Sequence, residues 1–400
     1  MWTIRKWSIM RTRTLLRSKC MHHSDDDTKG VDFAFQGMCG TGGYYCDAPS
    51  CLFQYGPACD ANQTPPGTNT SSVPRPLLGN IPYGVSIQHC SIPGKVALTF
   101  DDGPYIWTGD LLDILKANNV TATFFIVGNN GGKGQINDPK TGYPAIIQRM
   151  YAEGHQIGSH TWSHQDLSTL THQQRMDQIV KNEIAITDIL GFFPTYLRPP
   201  YESCDSDCMN DLGVMGYHVL NYDVDTLDWQ ENYPNSQQIF LSALQSGKPA
   251  TSSFIELTHD IHNGTVHGFT QFMINNLRQM GYTTALVGEC LNDPRINWYR
   301  NPTTGQAWSS ASSGPSSTTA KPSATSSKPV KVITSGSTLA SPTTDNEGVG
   351  GFGSGDSTNT TSVNTTSVTN ATTKSLDAPL YLMLYLQIFL SVWYFLFGNA

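Results

Sequence analysis

The sequence is short of charge, since Asp, Glu, Lys and Arg make up only 14% of its 400 residues. This low fraction excludes a coiled coil and a chain kept unfolded by its own charges. Basic residues are especially scarce after residue 20: six of the 24 lie in residues 1–20, and the other 18 against 32 acidic residues give −14. A chain this acidic is a poor ligand for a phosphate backbone, so we expect no nucleic-acid partner.

Residues 1–20 lack both acids and an apolar core of seven or more residues, so they do not form a secretory signal peptide. An Arg-rich, acid-free start is also typical of a mitochondrial presequence. The rest of the chain points elsewhere, because eight cysteines follow Cys20 and an even set is typical of disulfides formed in an oxidising compartment. Seven N-x-S/T sequons agree with a secretory route, at Asn62, Asn69, Asn119, Asn263, Asn359, Asn364 and Asn370. We interpret residues 1–33 as a non-globular N-terminus with a wrongly assigned start, and keep a mitochondrial hydrolase as the alternative.

The C-terminal hundred residues lack the composition of a globular domain. Residues 299–375 are dominated by Ser, Thr, Pro and Gly, which is typical of a disordered, O-glycosylated stalk. Residues 376–400 contain the uncharged run 378–397, with no basic residue after it. A bare hydrophobic tail after small residues predicts a GPI-attachment signal, with Asn370 as the attachment residue and Asn364 as the second choice. A transmembrane helix and a buried helix remain as alternatives.

Between residues 81 and 298, apolar runs of strand length alternate with helical stretches. The predicted strands are 96–100, 121–127, 155–159, 196–198, 218–223, 253–257 and 283–287. The predicted helices are 109–118, 145–153, 172–190, 208–215, 236–244 and 268–280. Repeated strand–helix pairs predict an α/β fold with a parallel sheet, and seven strands with their helices over this length favour a distorted (β/α)7-type barrel. In such a barrel the polar residues at the strand ends would share one rim.

Two histidines at that rim are four residues apart, a spacing that would place both imidazoles on one face of a helical turn. His160 and His164 alone are a weak signal, because such a pair also arises by chance among surface loop histidines. Asp102, at another strand end, completes two imidazoles and one carboxylate, a ligand set that leaves an open position on zinc. Its neighbour Asp101 could then serve as a base, although an acidic turn exposed to solvent has the same sequence.

Five motifs in order resemble the polysaccharide deacetylases of carbohydrate esterase family 4, the NodB homology domain, and most closely the fungal chitin deacetylases. They are Thr-Phe-Asp-Asp-Gly-Pro at 99–104, the H-x3-H motif at 159–164, Arg-Pro-Pro-Tyr at 198–201, Asp-Thr-Leu-Asp-Trp at 225–229 and Leu-Thr-His-Asp at 257–260. All five lie within residues 95–290. The resemblance implies hydrolysis of carbon–nitrogen bonds in linear amides, with chitin converted to chitosan and acetate.

The resemblance also implies a role for each motif residue. Asp102, His160 and His164 would bind Zn²⁺, with Co²⁺ as an alternative ion. Asp101 would be the base, oriented by Arg198, and His259 the acid, kept cationic by Asp225. The backbone N–H of Tyr201 would stabilise the oxyanion, and Trp229 would form a wall of the substrate pocket.

Family members further imply disulfides between Cys90 and Cys290 and between Cys204 and Cys208. Residues 34–80 contain four more cysteines, expected to pair among themselves, in a segment that resembles part of a hevein-like chitin-binding module followed by a linker. The adjacent Cys-Cys pair of that module is absent, which argues against independent chitin binding.

These observations predict a monomeric, Zn²⁺-dependent chitin deacetylase at the outer face of the plasma membrane and in the cell wall. Acetylxylan or peptidoglycan is the alternative substrate, and the Gly- and Asn-rich residues 129–143 are the expected specificity loop. A wall carbohydrate-binding protein that has lost catalysis is the alternative of a different class. The presence of every motif residue argues against it.

Overall fold

The computed structural model describes residues 32–33, 39–40, 43–54 and 57–309. These all lie in one compact unit, Met1–Thr319. The predicted start at 1–33, apart from residues 32–33, lies outside the described residues. So do the stalk beyond residue 309, Asn370 and the hydrophobic tail. Within the described part of the chain, no helix combines the length and the apolar character that crossing a membrane requires.

The strands are β1 (Asp32–Phe33), β2 (Cys39–Gly40), β3 (Ser86–Ile87), β4 (Lys95–Ala97), β5 (Thr99–Asp101), β6 (Thr123–Ile126), β7 (Gln156–Ser159), β8 (Phe193–Pro194), β9 (Tyr196–Leu197), β10 (His218–Leu220), β11 (Val224–Asp225), β12 (Phe254–His259), β13 (Thr283–Ala285) and β14 (Tyr299–Arg300). The α-helices are α1 (Gly43–Cys46), α2 (Thr108–Ala117), α3 (Tyr143–Ala152), α4 (His172–Leu190), α5 (Ser206–Val214), α6 (Tyr233–Ser246), α7 (Thr270–Gln279) and α8 (Val287–Cys290). Short 3₁₀ turns lie at Asp60–Asn62, Pro139–Thr141, Leu167–Thr169, Pro200–Glu202, Asp228–Gln230 and Arg295–Asn297, and a π-helical turn at Thr265–Phe269.

The main sheet is parallel and runs in the order β13-β4-β12-β5-β6-β7-β9-β10-β3, with β11 paired to β12. It closes on itself through the chain from β10 to β11, because β10 pairs with β9 while β11 pairs with β12, which in turn pairs with β5. The predicted α/β fold with a parallel sheet is confirmed, and each of the seven predicted strands has its counterpart. The closure by two short strands in succession accounts for the distortion of the barrel.

Local sequence explains the longest helix. Thr171 caps α4 through a capping box with Gln174, in which each side chain accepts a hydrogen bond from the other residue's backbone N–H. Gly191 ends the helix in the left-handed conformation at φ 79°. The buried face of α4 packs beside the sheet, whose strand β6 is buried at every residue. The core therefore fills the barrel and the space beneath the helices.

The folded chain continues on both sides of the predicted boundaries at 81 and 298. On the N-terminal side, Arg75 forms an ion pair with the buried Glu183 of α4 at 2.7 Å. On the C-terminal side, β14 pairs with β8, and the buried Arg300 donates to the carbonyl oxygen of Gly216 at 3.1 Å. The structure joins Cys90 to Cys290, Cys204 to Cys208 and, in the N-terminal segment, Cys51 to Cys59. The described residues 57–80 are therefore packed onto the barrel, and do not form a detached module.

Candidate active site

Two adjacent carboxylates meet at the end of β5. Asp101 is the last residue of the strand, and Asp102 turns the chain with a left-handed φ of 76°. Gly103 follows at a very close approach, since a Cβ atom there would lie 2.1 Å from Asp260 Oδ2. This turn lets both carboxylates face one cavity, which an uninterrupted strand would prevent.

The two histidines lie on a loop after β7, and the predicted helical turn is wrong. Thr161 and His164 have φ of 72° and 55°, which no helix accommodates. The loop still brings the rings together, with centroids 4.9 Å apart. His160 Nδ1–H donates to the carbonyl oxygen of Arg198 at 2.7 Å, which leaves Nε2 to face the cavity.

Asp102, His160 and His164 form a cluster whose ligand atoms all lie within 4.8 Å of one another. Asp102 Oδ1 lies 3.1 Å from His164 Nε2 and 3.6 Å from His160 Nε2. Despite these short distances, the geometry gives this buried oxygen no hydrogen-bond partner among the described residues. Burial lowers the pKa of His160 to about 4, so its imidazole is neutral, as a ligand must be. The donor set and its orphaned oxygen fit a divalent cation such as zinc.

Arg198 follows β9 and holds Asp101 from across the barrel. Its Nη1 donates to Asp101 Oδ1 at 2.8 Å and to the Thr99 hydroxyl at 2.6 Å, and Nη2 donates to the Asn221 carbonyl oxygen at 3.2 Å. On a flat sheet β5 and β9 would lie about 14 Å apart, with β6 and β7 between them. The contact therefore depends on the curvature of the barrel. Both side chains are almost completely buried, so Asp101 is fixed in one orientation.

His259 ends β12, and its partner is Asp228 in place of the predicted Asp225. Its Nδ1–H donates to Asp228 Oδ1 at 2.7 Å, and its backbone N–H donates to Oδ2 at 2.8 Å. The Thr265 hydroxyl also donates to Oδ2, at 2.7 Å. Burial alone lowers the pKa of His259, but the hydrogen bond and charge of Asp228, together with the charges of Asp102 and Asp101, raise it to about 10. The imidazole is therefore held protonated, with Nε2 as its second donor.

The chain reverses between these two aspartates, which explains why the nearer one is not the partner. Leu227 adopts a left-handed φ of 55°, and the Asp225 side chain caps this turn by accepting from Leu227 N–H at 2.9 Å. Asp228 then points into the interior and is fully buried. Asp225 stays half-buried on the cavity wall.

A cavity of about 490 Å³ brings all the predicted site residues together. Its open side carries two aromatic residues, Tyr201, which is 60% exposed, and Trp229, which is 53% exposed. Tyr201 is held at φ 58° in the short turn Pro200–Glu202. Backbone N–H groups in the first turn of such an element lack partners within it, so this N–H can donate to a ligand. The exposed rings suit the apolar face of a sugar.

Three functional residues escaped the sequence analysis. Asp228 and Asp260 lie inside the recognised motifs, so their positions alone marked them as candidates. Lys133 had no such signal. Its Nζ donates to the carbonyl oxygens of Asp102 and Gly103, at 2.9 and 3.3 Å. Burial lowers the pKa of Lys133 to about 8, against the charges of Asp102 and Asp260, and burial raises the pKa of Asp260 to about 7. Lys133 thus supports the turn that carries both carboxylates.

The sequence profile of the family described as Polysaccharide deacetylase matches residues 89–220. A chitin deacetylase from Colletotrichum lindemuthianum is 43% identical over 236 residues, which cover 58% of this chain and 92% of that protein. A chitin deacetylase from Pestalotiopsis sp is 43% identical over 235 residues, covering 59% of this chain and 76% of that protein. The solved structure of the Colletotrichum lindemuthianum enzyme superposes with a TM-score of 0.53 at 44% identity, over 55% of this chain and 97% of that one. The chain, with its carboxylate–histidine cluster in an α/β barrel, therefore belongs to the polysaccharide deacetylase family.

Proposed function

We propose that this protein removes the N-acetyl groups of N-acetylglucosamine units in chitin, giving chitosan and acetate. The observation that carries the proposal is the arrangement around one cavity. A carboxylate held by Arg198, a three-residue metal cluster and a protonated imidazole line the same space. Amide hydrolysis needs these elements together: a base for water, charge stabilisation for the oxyanion and an acid for the leaving amine.

Asp102, His160 and His164 would hold the cation, with Zn²⁺ the ion that this ligand set favours and Co²⁺ an alternative. When bound, such an ion supplies Lewis-acid activation of a water molecule and of the acetyl carbonyl. Asp101 is the base that accepts the proton of this water. Its Oδ1 is occupied by Arg198, so Oδ2, which lies 3.7 Å from His160 Nε2, is the oxygen that faces the cavity.

The amide carbon becomes tetrahedral as the water oxygen adds to it. The Tyr201 N–H lies on the cavity wall and can donate to the negative oxygen that develops. The carbon–nitrogen bond then breaks, and the nitrogen takes a proton from Nε2 of His259. Asp228 stabilises the imidazolium before this transfer and keeps Nδ1 protonated throughout. The products are acetate and a glucosamine unit.

Chitin is the proposed substrate because both relatives described above are chitin deacetylases. The open cavity with exposed Tyr201 and Trp229 is compatible with a polymer that enters and leaves sideways. Acetylxylan and peptidoglycan present similar acetylated sugars. The contacts around the cavity do not favour either of them over chitin.

The test is acetate release from chitin oligomers of four to six units by the protein secreted from a eukaryotic host. We expect the wild-type protein to release acetate and the Asp101→Asn variant to release none. Chelation of zinc should abolish release by the wild type, and added Zn²⁺ or Co²⁺ should restore it. Release from acetylxylan alone would move the substrate and keep the mechanism. A folded, zinc-loaded protein that is silent on every acetylated glycan would refute the proposal in favour of a carbohydrate-binding role.

We further propose that the enzyme works as a monomer at the outer face of the plasma membrane and in the cell wall, attached through a GPI anchor at Asn370. The disulfides of the described chain support an oxidising compartment. The uncharged run 378–397 supports the anchor signal. Phosphatidylinositol-specific phospholipase C should release the native protein from membranes. Retention after this treatment, with release by detergent only, would support a transmembrane helix.

A further inference from the structure

The N-terminal segment has a small core of its own. We define the N-terminal brace as residues 47–54 and 57–66. Ala48, Cys51, Cys59 and Ala61 are buried together, and the Cys51–Cys59 disulfide lies at their centre. Phe53 packs against this group and also against the apolar cluster beneath α4. The brace is therefore attached firmly to the barrel at one side.

At its other side, the brace contacts the loop that carries both histidine ligands, residues 160–165. Trp162 lies midway between the ligands, is completely buried, and donates its indole N–H to the Asp60 carbonyl oxygen at 3.2 Å. Gln165, next to the second ligand, donates to the Pro49 carbonyl oxygen at 3.4 Å. The ligand loop is thus connected to the brace between its two histidines and directly after them.

The brace also holds residues 128–137, which follow β6. Gly131 N–H donates to the Ala48 carbonyl oxygen at 2.8 Å, and the Asn137 side chain donates to the Pro66 carbonyl oxygen at 3.1 Å. The Asn129 side chain donates to Gln63 Oε1 at 3.0 Å. This loop lines a second cavity of about 230 Å³ that shares Asp102 with the first. The brace therefore contacts the wall of the second cavity at Gly131, and it bonds to the loop that carries two lining residues of the first cavity, His160 and His164.

In all but one of these contacts, the brace contributes backbone carbonyl oxygens and the barrel contributes the donors. The positions of those oxygens depend on the path of the brace backbone, which the Cys51–Cys59 bond constrains by linking two buried residues. Outer hydrogen bonds of this kind orient metal ligands and tune metal affinity. The two loops have no other described contact with a segment cross-linked in this way.

We infer that the N-terminal brace positions the metal-ligand loop and the 128–137 loop, and that Trp162 is the positioning residue through which it acts on the two histidines. The inference rests on the proposed function for its catalytic meaning. The brace thereby becomes a working part of the deacetylase domain, which agrees with the absence of the Cys-Cys pair that an independent hevein-like module would carry.

The chain offers a matched pair of variants, because two barrel residues donate to neighbouring carbonyls of the brace. Trp162→Phe removes the bond to Asp60, and Lys181→Met removes the bond from Lys181 Nζ to the Ala61 carbonyl oxygen at 2.8 Å. Of these two bonds, only the Trp162 bond joins the brace to the ligand loop, because Lys181 lies on α4. The double variant Cys51→Ser/Cys59→Ser loosens the brace and leaves every donor in place. If Trp162→Phe does not fold, the double variant alone tests the inference. If the double variant does not fold, Trp162→Phe alone tests it.

Two readouts apply, neither of them activity: amide hydrogen exchange of the full, metal-free protein, and Zn²⁺ affinity measured against a competing chelator. Trp162→Phe and the double variant should each accelerate exchange in 160–165 and weaken Zn²⁺ binding about tenfold. The double variant should also accelerate exchange in 128–137. Lys181→Met should change neither loop and leave Zn²⁺ affinity as it is.

The inference would be overturned if hydrogen exchange and Zn²⁺ affinity were unchanged in both Trp162→Phe and the double cysteine variant. It would also be overturned if Lys181→Met changed them as much as Trp162→Phe does. Its failure is distinguishable from failure of the proposed function. Full acetate release from chitin with unaltered loop exchange refutes the inference alone. Loss of loop protection in a chain that never releases acetate refutes the deacetylase proposal and supports the positioning role.

Discussion

Replacing Asp228 with Asn should move the alkaline limit of activity by several pH units. Asp228 is fully buried, and its carboxylate is the main group that raises the pKa of His259 from an ordinary 6.5 to about 10, with smaller contributions from Asp102 and Asp101. Asparagine keeps the size of the side chain but removes the charge, and its amide can donate to Nδ1 and so favour a neutral ring. Burial, which lowers the pKa, is then opposed only by more distant charges.

The magnitude follows from the protonated fraction of the acid. A general acid works only while it is protonated, so a raised pKa extends activity to higher pH. When the pKa falls, activity at high pH is lost. With a pKa near 6.5, about 1% of His259 would be protonated at pH 8.5, which predicts at least about a hundredfold fall in kcat at that pH. At about pH 5.5 both enzymes would hold the proton, and kcat should differ by about threefold or less. Because both enzymes are loaded with the same cation, its repulsion lowers both pKa values alike, and the separation between the two alkaline limbs is the quantity to compare.

The assay is kcat for acetate release from chitin oligomers between pH 5 and 10, with Asp225→Asn as the matched control. Asp225 lies on the same cavity wall and bonds to Leu227 N–H, so its substitution should leave the alkaline limb in place. Equal pH profiles for wild type and Asp228→Asn would refute the reasoning. A shift of the alkaline limb in Asp225→Asn but not in Asp228→Asn would also refute it, because Asp225 would then be the residue that stabilises the imidazolium of His259.

Arg198→Lys should lower kcat about a hundredfold with little change in KM, because a single ammonium cannot replace the guanidinium that holds the base and two further oxygens. A change in KM with kcat unchanged would contradict this. Lys133→Met should weaken Zn²⁺ binding about tenfold in a calorimetric titration by freeing the turn that carries a ligand, whereas the exposed Lys140→Met should bind like wild type. Arg75→Gln should lower the free energy of unfolding in denaturant by about 3–5 kcal/mol, since it leaves the Glu183 charge buried without its cation. An unchanged unfolding midpoint would show that this carboxylate is solvated.

The sequence was sufficient to predict the strands of the barrel and the cluster of ligands at its rim. Asp102, His160 and His164 could be grouped because parallel strands end at one edge, and that rule needs no knowledge of loop shape. The helical turn proposed for the two histidines was wrong because spacing alone does not report φ. Thr161 and His164 adopt left-handed conformations, which are uncommon outside glycine and especially so for a β-branched threonine.

The partner of His259, the contacts of the N-terminal brace and the role of Lys133 could not be predicted from the sequence pattern. The family resemblance implied Asp225, and no residue pattern favoured Asp228, because the reversal at Leu227 is a backbone conformation for which leucine has no preference. The contacts of the N-terminal brace were invisible for a related reason, since most of its acceptors are carbonyl oxygens that every residue possesses. The support that Lys133 gives to the Asp102 turn depends on where a loop of glycines and asparagines folds back.

The closure of the barrel through the chain from β10 to β11 links catalysis to the integrity of the whole ring. Asp101 and Arg198 stand on strands that meet only because the sheet is curved, and Arg198 also bonds to Asn221 within the closing stretch. If β10 parts from β9, or β11 parts from β12, the helices and most strand pairs can persist while the base loses its orientation. On gradual heating, acetate release should therefore fail before the far-ultraviolet circular dichroism changes, and the temperature gap between the two events measures how firmly this seam is held.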